Sequence, residues 1–391
     1  MYKKHFSRFL ALHPDELHFT AHSHHFWPDV TRDAVMRHWD DSARYVDNKW
    51  EWIMDEVFHP TQKLIADLIG SETPEQIVFG ANTHEFICRL LSCFRREAVF
   101  SILTTDSEFQ SFGRQARRLE EEVGITVKKI PVEPIGTFNS RFIEALRQQQ
   151  FDLIFLSQVF YNSGRAIADL DAFMQALIEL ASLDTVIVLD GYHAFCALPT
   201  TISPFADRVF YLAGGYKYAQ AGEGVCFLHS PPGSELRPVN TGWFADFGGL
   251  SSDQHGAVAY AKDGLRFAGA TFDPGGVYRL KSVLELFRSL GLESKKIHEH
   301  VKNLQDLFIS RLGTTDHPVI NQGNLLYDSG SPHGHFLTFV LGSQKNAADF
   351  CTQLKKVGVY TDHRGNHLRM GFGIYHEAAD IEEFFSRLPK T

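Results

Sequence analysis

The stretch Val209–His229, VFYLAGGYKYAQAGEGVCFLH, sets one lysine, Lys217, between two tyrosines in a run of small and apolar residues. A lysine on a helix face keeps its ammonium in water by laying its stem along the surface. Lys217 has no such cover, because LAGG precedes it and AQAGEG follows, so it stands on a glycine-rich turn just past an apolar strand, RVFYLAG. Upstream of that strand, apolar and helical segments alternate. QIVFG, AVFSILTT, TVKKIPV, FDLIFLSQV and DTVIVLDG read as strands; THEFICRLLSCF, EFQSFGRQARRLEEEVG, SRFIEALRQQ and LDAFMQALIELASL read as the helices between them, with PTQKLIADLIG before the series. This alternation predicts an α/β fold with a mostly parallel sheet covered by helices on both faces. Two-sided burial explains why TVIVLD and DLIFLS are apolar throughout.

From Gly275 the pattern changes to a long helical tract ending near Leu312. After it come the strand-like HGHFLTFVL, the helix AADFCTQLKKVG, the strand HLRMGFG and a last helix, AADIEEFFSRL. Residues 51–277 therefore read as a large domain and 278–391 as a smaller α+β domain, with 1–50 packing on the small domain or at a subunit interface.

The 391 residues are 44% hydrophobic and 13% aromatic, enough for a substantial core. The net charge is −9 with no cluster of Lys and Arg, which argues against nucleic acid or anionic membranes as partners. The first residues lack the sustained apolar run of a signal peptide, and no window is long enough to span a bilayer. Five scattered cysteines, an odd number, fit free thiols in a reducing compartment. The expectation is a soluble cytoplasmic protein.

Open α/β sheets bind ligands beyond the carboxyl ends of their strands. Four strand ends here carry polar residues: Asn82 and Thr83 after QIVFGA, Ser157 after DLIFL, Asp190 after TVIVL, and Lys217 after RVFYLAGGY. A lysine whose neutral amine is supported forms Schiff bases with carbonyl cofactors. Pyridoxal phosphate needs such a lysine and an acid beside its ring nitrogen. Asp190-Gly-Tyr-His193 followed downstream by Tyr216-Lys217 offers both.

In these motifs the chain resembles the class-V aminotransferase branch of the fold-type I pyridoxal-phosphate enzymes, and within it kynureninase, from about residue 18 to the end. The resemblance implies a homodimer with the cofactor site at the subunit interface and an amino acid as substrate. It implies that Asp190 pairs with the pyridine nitrogen, His193 positions the ring, Tyr216 contacts the phosphate and Lys217 carries the cofactor and shuttles protons. It further implies phosphate binding by Asn82 and Thr83 in GANTHEF, ring stacking by Phe109 in SEFQSF, a phosphate or pocket contact from Trp243 in RPVNTGWF, and a phosphate contact across the dimer from Thr271 in GATFDPGG. Arg369, in GVYTDHRGNHLRMGFGIYH, would clamp the substrate α-carboxylate, bidentately as guanidinium groups do.

The substrate half departs from the family. Phe160 in VFYNSG stands where an asparagine near a cofactor oxygen is usual, with Asn162 two positions on. AHSHH replaces GNSLG, keeping Ser23 and adding His22, His24 and His25; Ser23 and His22 read as pocket lining, and no metal site is expected. The reaction expected is kynureninase-like hydrolytic cleavage between Cβ and Cγ, with transamination as one alternative and a non-catalytic cofactor-binding scaffold as another.

Overall fold

The predicted strands join one seven-stranded sheet in the computed structural model, which describes residues 2–94, 99–249, 256–327 and 330–389. In chain order these strands are β1 (Ile77–Gly80), β2 (Phe100–Thr105), β3 (Ile125–Ile130), β4 (Leu153–Ser157), β5 (Val186–Asp190), β6 (Val209–Gly214) and β7 (Cys226–His229). They lie in the order β1-β7-β6-β5-β4-β2-β3, parallel from β6 through β3. The end of the Lys217 stretch, CFLH, is the exception to the strand–helix alternation. The link from Gly215 to Val225 is too short for a crossover helix, so β7 returns antiparallel to β6 and pairs with β1.

Helices cover both faces as two-sided apolar strands require. The longer ones, in chain order, are α1 (Val30–Tyr45), α2 (His59–Ile69), α3 (Thr83–Leu91), α4 (Gln110–Leu119), α5 (Phe138–Gln148) and α6 (Leu170–Leu180). On α4, Phe112 is buried and stacks on Phe155 of β4 with ring centroids 3.7 Å apart. The tract after Gly275 is two helices, α7 (Gly275–Ser289) and α8 (Ser294–Leu312), separated at Gly291, whose φ of +60° takes the chain out of the helix.

Beyond α8, a three-stranded antiparallel sheet runs β9-β10-β8, formed by β8 (Phe336–Val340), β9 (Asp362–Arg364) and β10 (His367–Gly371). It packs with α9 (Gln344–Lys356) and α10 (Ala378–Ser386) around a second core that includes Phe308, Phe339 and Phe384. The N-terminal segment belongs partly to this second core: Leu17 and Phe19 are buried in it, and Leu17–His18 pairs in parallel with Val359–Tyr360. In contrast, α1 packs along α7, with Ala34 in the first core. Along α8, Ile297 faces the first core and Val301 the second.

Register fixes the functional edge. Ser157 at the end of β4 lies beside Asp190 at the end of β5, and Asp190 lies beside Leu212 of β6, two residues before that strand ends. Replacing Phe112 with Ala would empty a site sealed by helix and sheet and should cost about 3–5 kcal/mol. Denaturant unfolding would measure this, and a loss below about 1 kcal/mol would contradict the packing described.

Candidate active site

The sequence at the end of β6 dictates how Lys217 is held. A Cβ on Gly214 would lie 2.3 Å from the Tyr192 ring and 2.4 Å from Cys226 Sγ, and one on Gly215 would lie 2.5 Å from Val225 Cγ1. Only glycine lets this turn press against β7 and the Tyr192 loop, which places Lys217 over the strand ends. There it borders a cavity of about 460 Å³ that Asn82, Thr83, Phe109, Asp190, His193 and Tyr216 also line.

The Lys217 amine is buried, with Nζ 2.7 Å from His193 Nε2 and 4.6 Å from the centre of the Tyr192 ring. Burial pushes its pKa down to about 7; Asp190 opposes the fall, and the positive charges of Arg369 and Arg364 add to it. His193 is held well below its ordinary pKa, chiefly by burial and then by Lys217. A neutral His193 accepts from Nζ through Nε2, which leaves the proton on Nδ1, an atom with no hydrogen-bond partner among the described residues. Asp190 accepts the Tyr192 N–H at 2.8 Å, and burial raises its pKa against the pull of that bond and of Lys217.

At the other end of the cavity α3 begins. Asn82 caps it, its side-chain oxygen accepting the Glu85 N–H at 3.0 Å, so the Asn82 carbonyl group serves the helix while the residue still lines the cavity. Such a helix start suits a phosphate. Phe109 lies at the mouth, 37% exposed, with its ring centre 5.3 Å from Lys217 Nζ and edge-on to Tyr161. Tyr216 packs on Tyr192 and on His24.

Other expected residues sit elsewhere. Trp243 Nε1 donates to Thr271 Oγ1 at 2.9 Å, and neither residue lines this cavity. Arg369 is buried, its fork closed on Asp362: Nε donates to Oδ1 at 2.9 Å and Nη2 to Oδ2, while Nη1 donates to the Tyr161 carbonyl. His22 does not line the cavity either. It bonds Asp362 through Nε2 at 2.9 Å and stacks on Phe336, and burial lowers its pKa to about 4. Ser23 Oγ bonds its neighbour His24 at 3.3 Å. The histidines of AHSHH diverge, since His25 turns inward to the Phe26 carbonyl and His24 stays exposed beside Glu223. Phe160 corrects the sequence reading: it is fully buried against Phe138, pointing into the core, while its neighbours Val159 and Tyr161 line the cavity. Asn162 donates to Ser107 Oγ at 3.1 Å.

Two residues of the site escaped the sequence reading. Asp362 holds both His22 and Arg369, and only its place in the quoted DHR motif hinted at it. Glu108 is buried beneath the strand ends, accepting from Ser157 Oγ, Ser157 N and Thr105 Oγ1, and burial raises its pKa to about 7. The sequence pattern sets it only at the start of the helical stretch EFQSFG; the fold shows that it ties β2 to β4.

The residues fit pyridoxal phosphate: a buried amine whose pKa is pushed down to about 7, a carboxyl at the cavity wall, an orphaned imidazole nitrogen and a helix start for a phosphate. The family description "Aminotransferase class-V" matches residues 46–384, and the chain belongs to that family of pyridoxal-phosphate-dependent enzymes. Among curated relatives, a probable cysteine desulfurase of Chlamydia muridarum is 24% identical over 346 residues, covering 83% of this chain and 81% of the relative. Among solved structures, a C-DES variant with glycine covalently linked to its cofactor superposes with a TM-score of 0.81 at 17% identity, covering 99% of this chain and 98% of the other. The cystine C–S lyase C-DES with its product cysteine persulfide gives 0.79 at 18% identity, covering 97% and 98%. No helix among the described residues is long and apolar enough to cross a membrane.

Because Lys217 carries a proton below about pH 7, covalent uptake of pyridoxal phosphate by the apoprotein should slow as pH falls below that value. The amine-limited rate should drop about tenfold from pH 8 to pH 6 and level off above about pH 8. Stopped-flow absorbance would measure it. A rate still climbing beyond about pH 9, as for an ordinary lysine, would contradict the assignment.

Proposed function

We propose that this chain removes the α-proton of an amino acid and then breaks a bond at its Cβ. The observation that carries the reading is the Lys217 amine, buried with a pKa near 7 and held 2.7 Å from a neutral His193. Such an amine can take up and release a proton near neutral pH, and its contact with His193 keeps Nζ oriented. When bound, pyridoxal phosphate supplies the electron sink that stabilises negative charge at the substrate α-carbon. Asp190 would hold its ring nitrogen, Phe109 would face its ring and the start of α3 its phosphate. Arg369 would anchor the α-carboxylate. Three of its five N–H bonds are engaged by Asp362 and Tyr161, leaving one on each terminal nitrogen. The Trp243–Thr271 pair lies off the cavity of its own chain, which suits a homodimer in which it serves the partner's site.

A sulfur leaving group at Cβ is the reading favoured, supported by the likeness to a cystine C–S lyase over nearly the whole chain. Transfer of that sulfur to a protein thiolate is not favoured. All five cysteines are free, and burial raises the pKa of each. The one lining the cavity, Cys226, is pushed up to about 12 and sits 3.5 Å from the Tyr192 hydroxyl. A thiol so disposed is a poor nucleophile. Kynureninase-like cleavage between Cβ and Cγ is the second reading, favoured by the aromatic mouth formed by Phe109, Tyr161 and Tyr216.

The test is the product formed by the cofactor-loaded protein from cystine, cysteine and kynurenine. Pyruvate and ammonia with a sulfur product are expected from cystine or cysteine. Alanine from kynurenine would move the second reading to first place. Failure to exchange the α-proton of any amino acid in deuterated water would overturn both and favour a scaffold.

A further inference from the structure

A second cleft, of about 280 Å³ and sharing no lining residue with the Lys217 cavity, lies between the N-terminal segment and α10, lined among others by Lys3, His13, Glu16, His18, Tyr375 and Asp380. Within it His13 Nδ1 and His18 Nε2 both contact the same Glu16 oxygen, at 2.7 and 2.8 Å. The ligand atoms of the three side chains lie within 4.8 Å of one another. Two imidazoles and a carboxylate converging on one point form the donor set of an open zinc site, three protein ligands with a fourth position left to solvent.

The surroundings of the trio are organised. The Tyr360 hydroxyl donates to the other Glu16 oxygen at 2.7 Å, and the His18 ring lies flat on the Tyr360 ring, 4.4 Å between centroids and 3° between planes. The Tyr375 hydroxyl bonds the His18 carbonyl at 2.7 Å, and the backbone turn from His13 to Glu16 closes at 3.3 Å. Outer contacts of this kind fix ligand orientation and raise metal affinity. The nearby charges are already matched, Lys3 with Asp380 and Arg387 with Glu383, which leaves the trio to face inward on itself.

We propose that His13, Glu16 and His18 bind a divalent transition-metal ion of the zinc class. Binding replaces the two N–H···O contacts with metal bonds, the ring protons moving to the opposite imidazole nitrogens. The ion fastens the N-terminal segment where Leu17–His18 pairs with Val359–Tyr360. Four residues on from His18, and two from Tyr360, the same two segments meet again in the His22–Asp362 bond. The metal thus braces the base of the Asp362–Arg369 pair without touching the cofactor cavity.

The experiment uses cofactor-loaded protein stripped with a chelator and titrated with Co(II), then with Zn(II) as competitor. The expected result is a visible ligand-field band saturating at about one ion per chain. It should be lost in His13→Ala and in His18→Ala, and Tyr360→Phe should weaken binding about tenfold. The His13 side chain is 36% exposed, so His13→Ala should fold, and its retained cofactor absorption would verify this. No band at about 100 μM Co(II), or a band unchanged in the His13→Ala/His18→Ala double variant, would overturn the proposal.

Discussion

The structure turns on the burial of one amine. An ammonium taken out of water without a full set of partners is costly, and the protein relieves the cost by letting Lys217 lose its proton. The linkage follows in sign. Below about pH 7 the buried amine must carry its proton and the cost to folding is full, and it fades as pH rises from about 7 toward the ordinary lysine range. The parallel strands deliver Ser157 and Asp190 side by side, and the paired glycines before Tyr216 bring the lysine over them. A neutral His193 then gives the amine a partner that adds no charge.

The surroundings of Arg369 are built on the reverse principle. Asp362 meets the fork of the buried Arg369 with two oxygens, and His22 then braces Asp362. Asp362 and Arg369 stand on the three-stranded sheet, yet Arg369 reaches the carbonyl of Tyr161, which lines the cavity. A substrate lying between Lys217 and Arg369 would therefore join the two sheets, and their relative position would set its geometry.

Much of this was legible in the residue pattern. Apolar runs bounded by turns located β1 to β6, and polar residues at strand ends pointed to Asp190, Thr83 and Lys217. What escaped was whatever depends on direction rather than position. Phe160 occupies the expected place in the chain but turns into the core against Phe138. Trp243 and Thr271 satisfy each other outside the cavity. Glu108 and Asp362 look like surface acids until the fold buries one beneath Ser157 and sets the other on Arg369. The return of β7 was hidden because a short apolar run carries no sign of its direction. Membership in the class-V family was legible as well, whereas the kynureninase-like reaction rested on motifs around the substrate, the half of the site where the chain departs from that pattern.

The most direct test of the account is to load the protein with pyridoxal phosphate, reduce it with borohydride and map the modified peptide by mass. The account predicts stoichiometric labelling at Lys217, with His193→Ala retaining the label and Lys217→Ala losing it. A label spread over exposed lysines, or one that persists in Lys217→Ala, would contradict it.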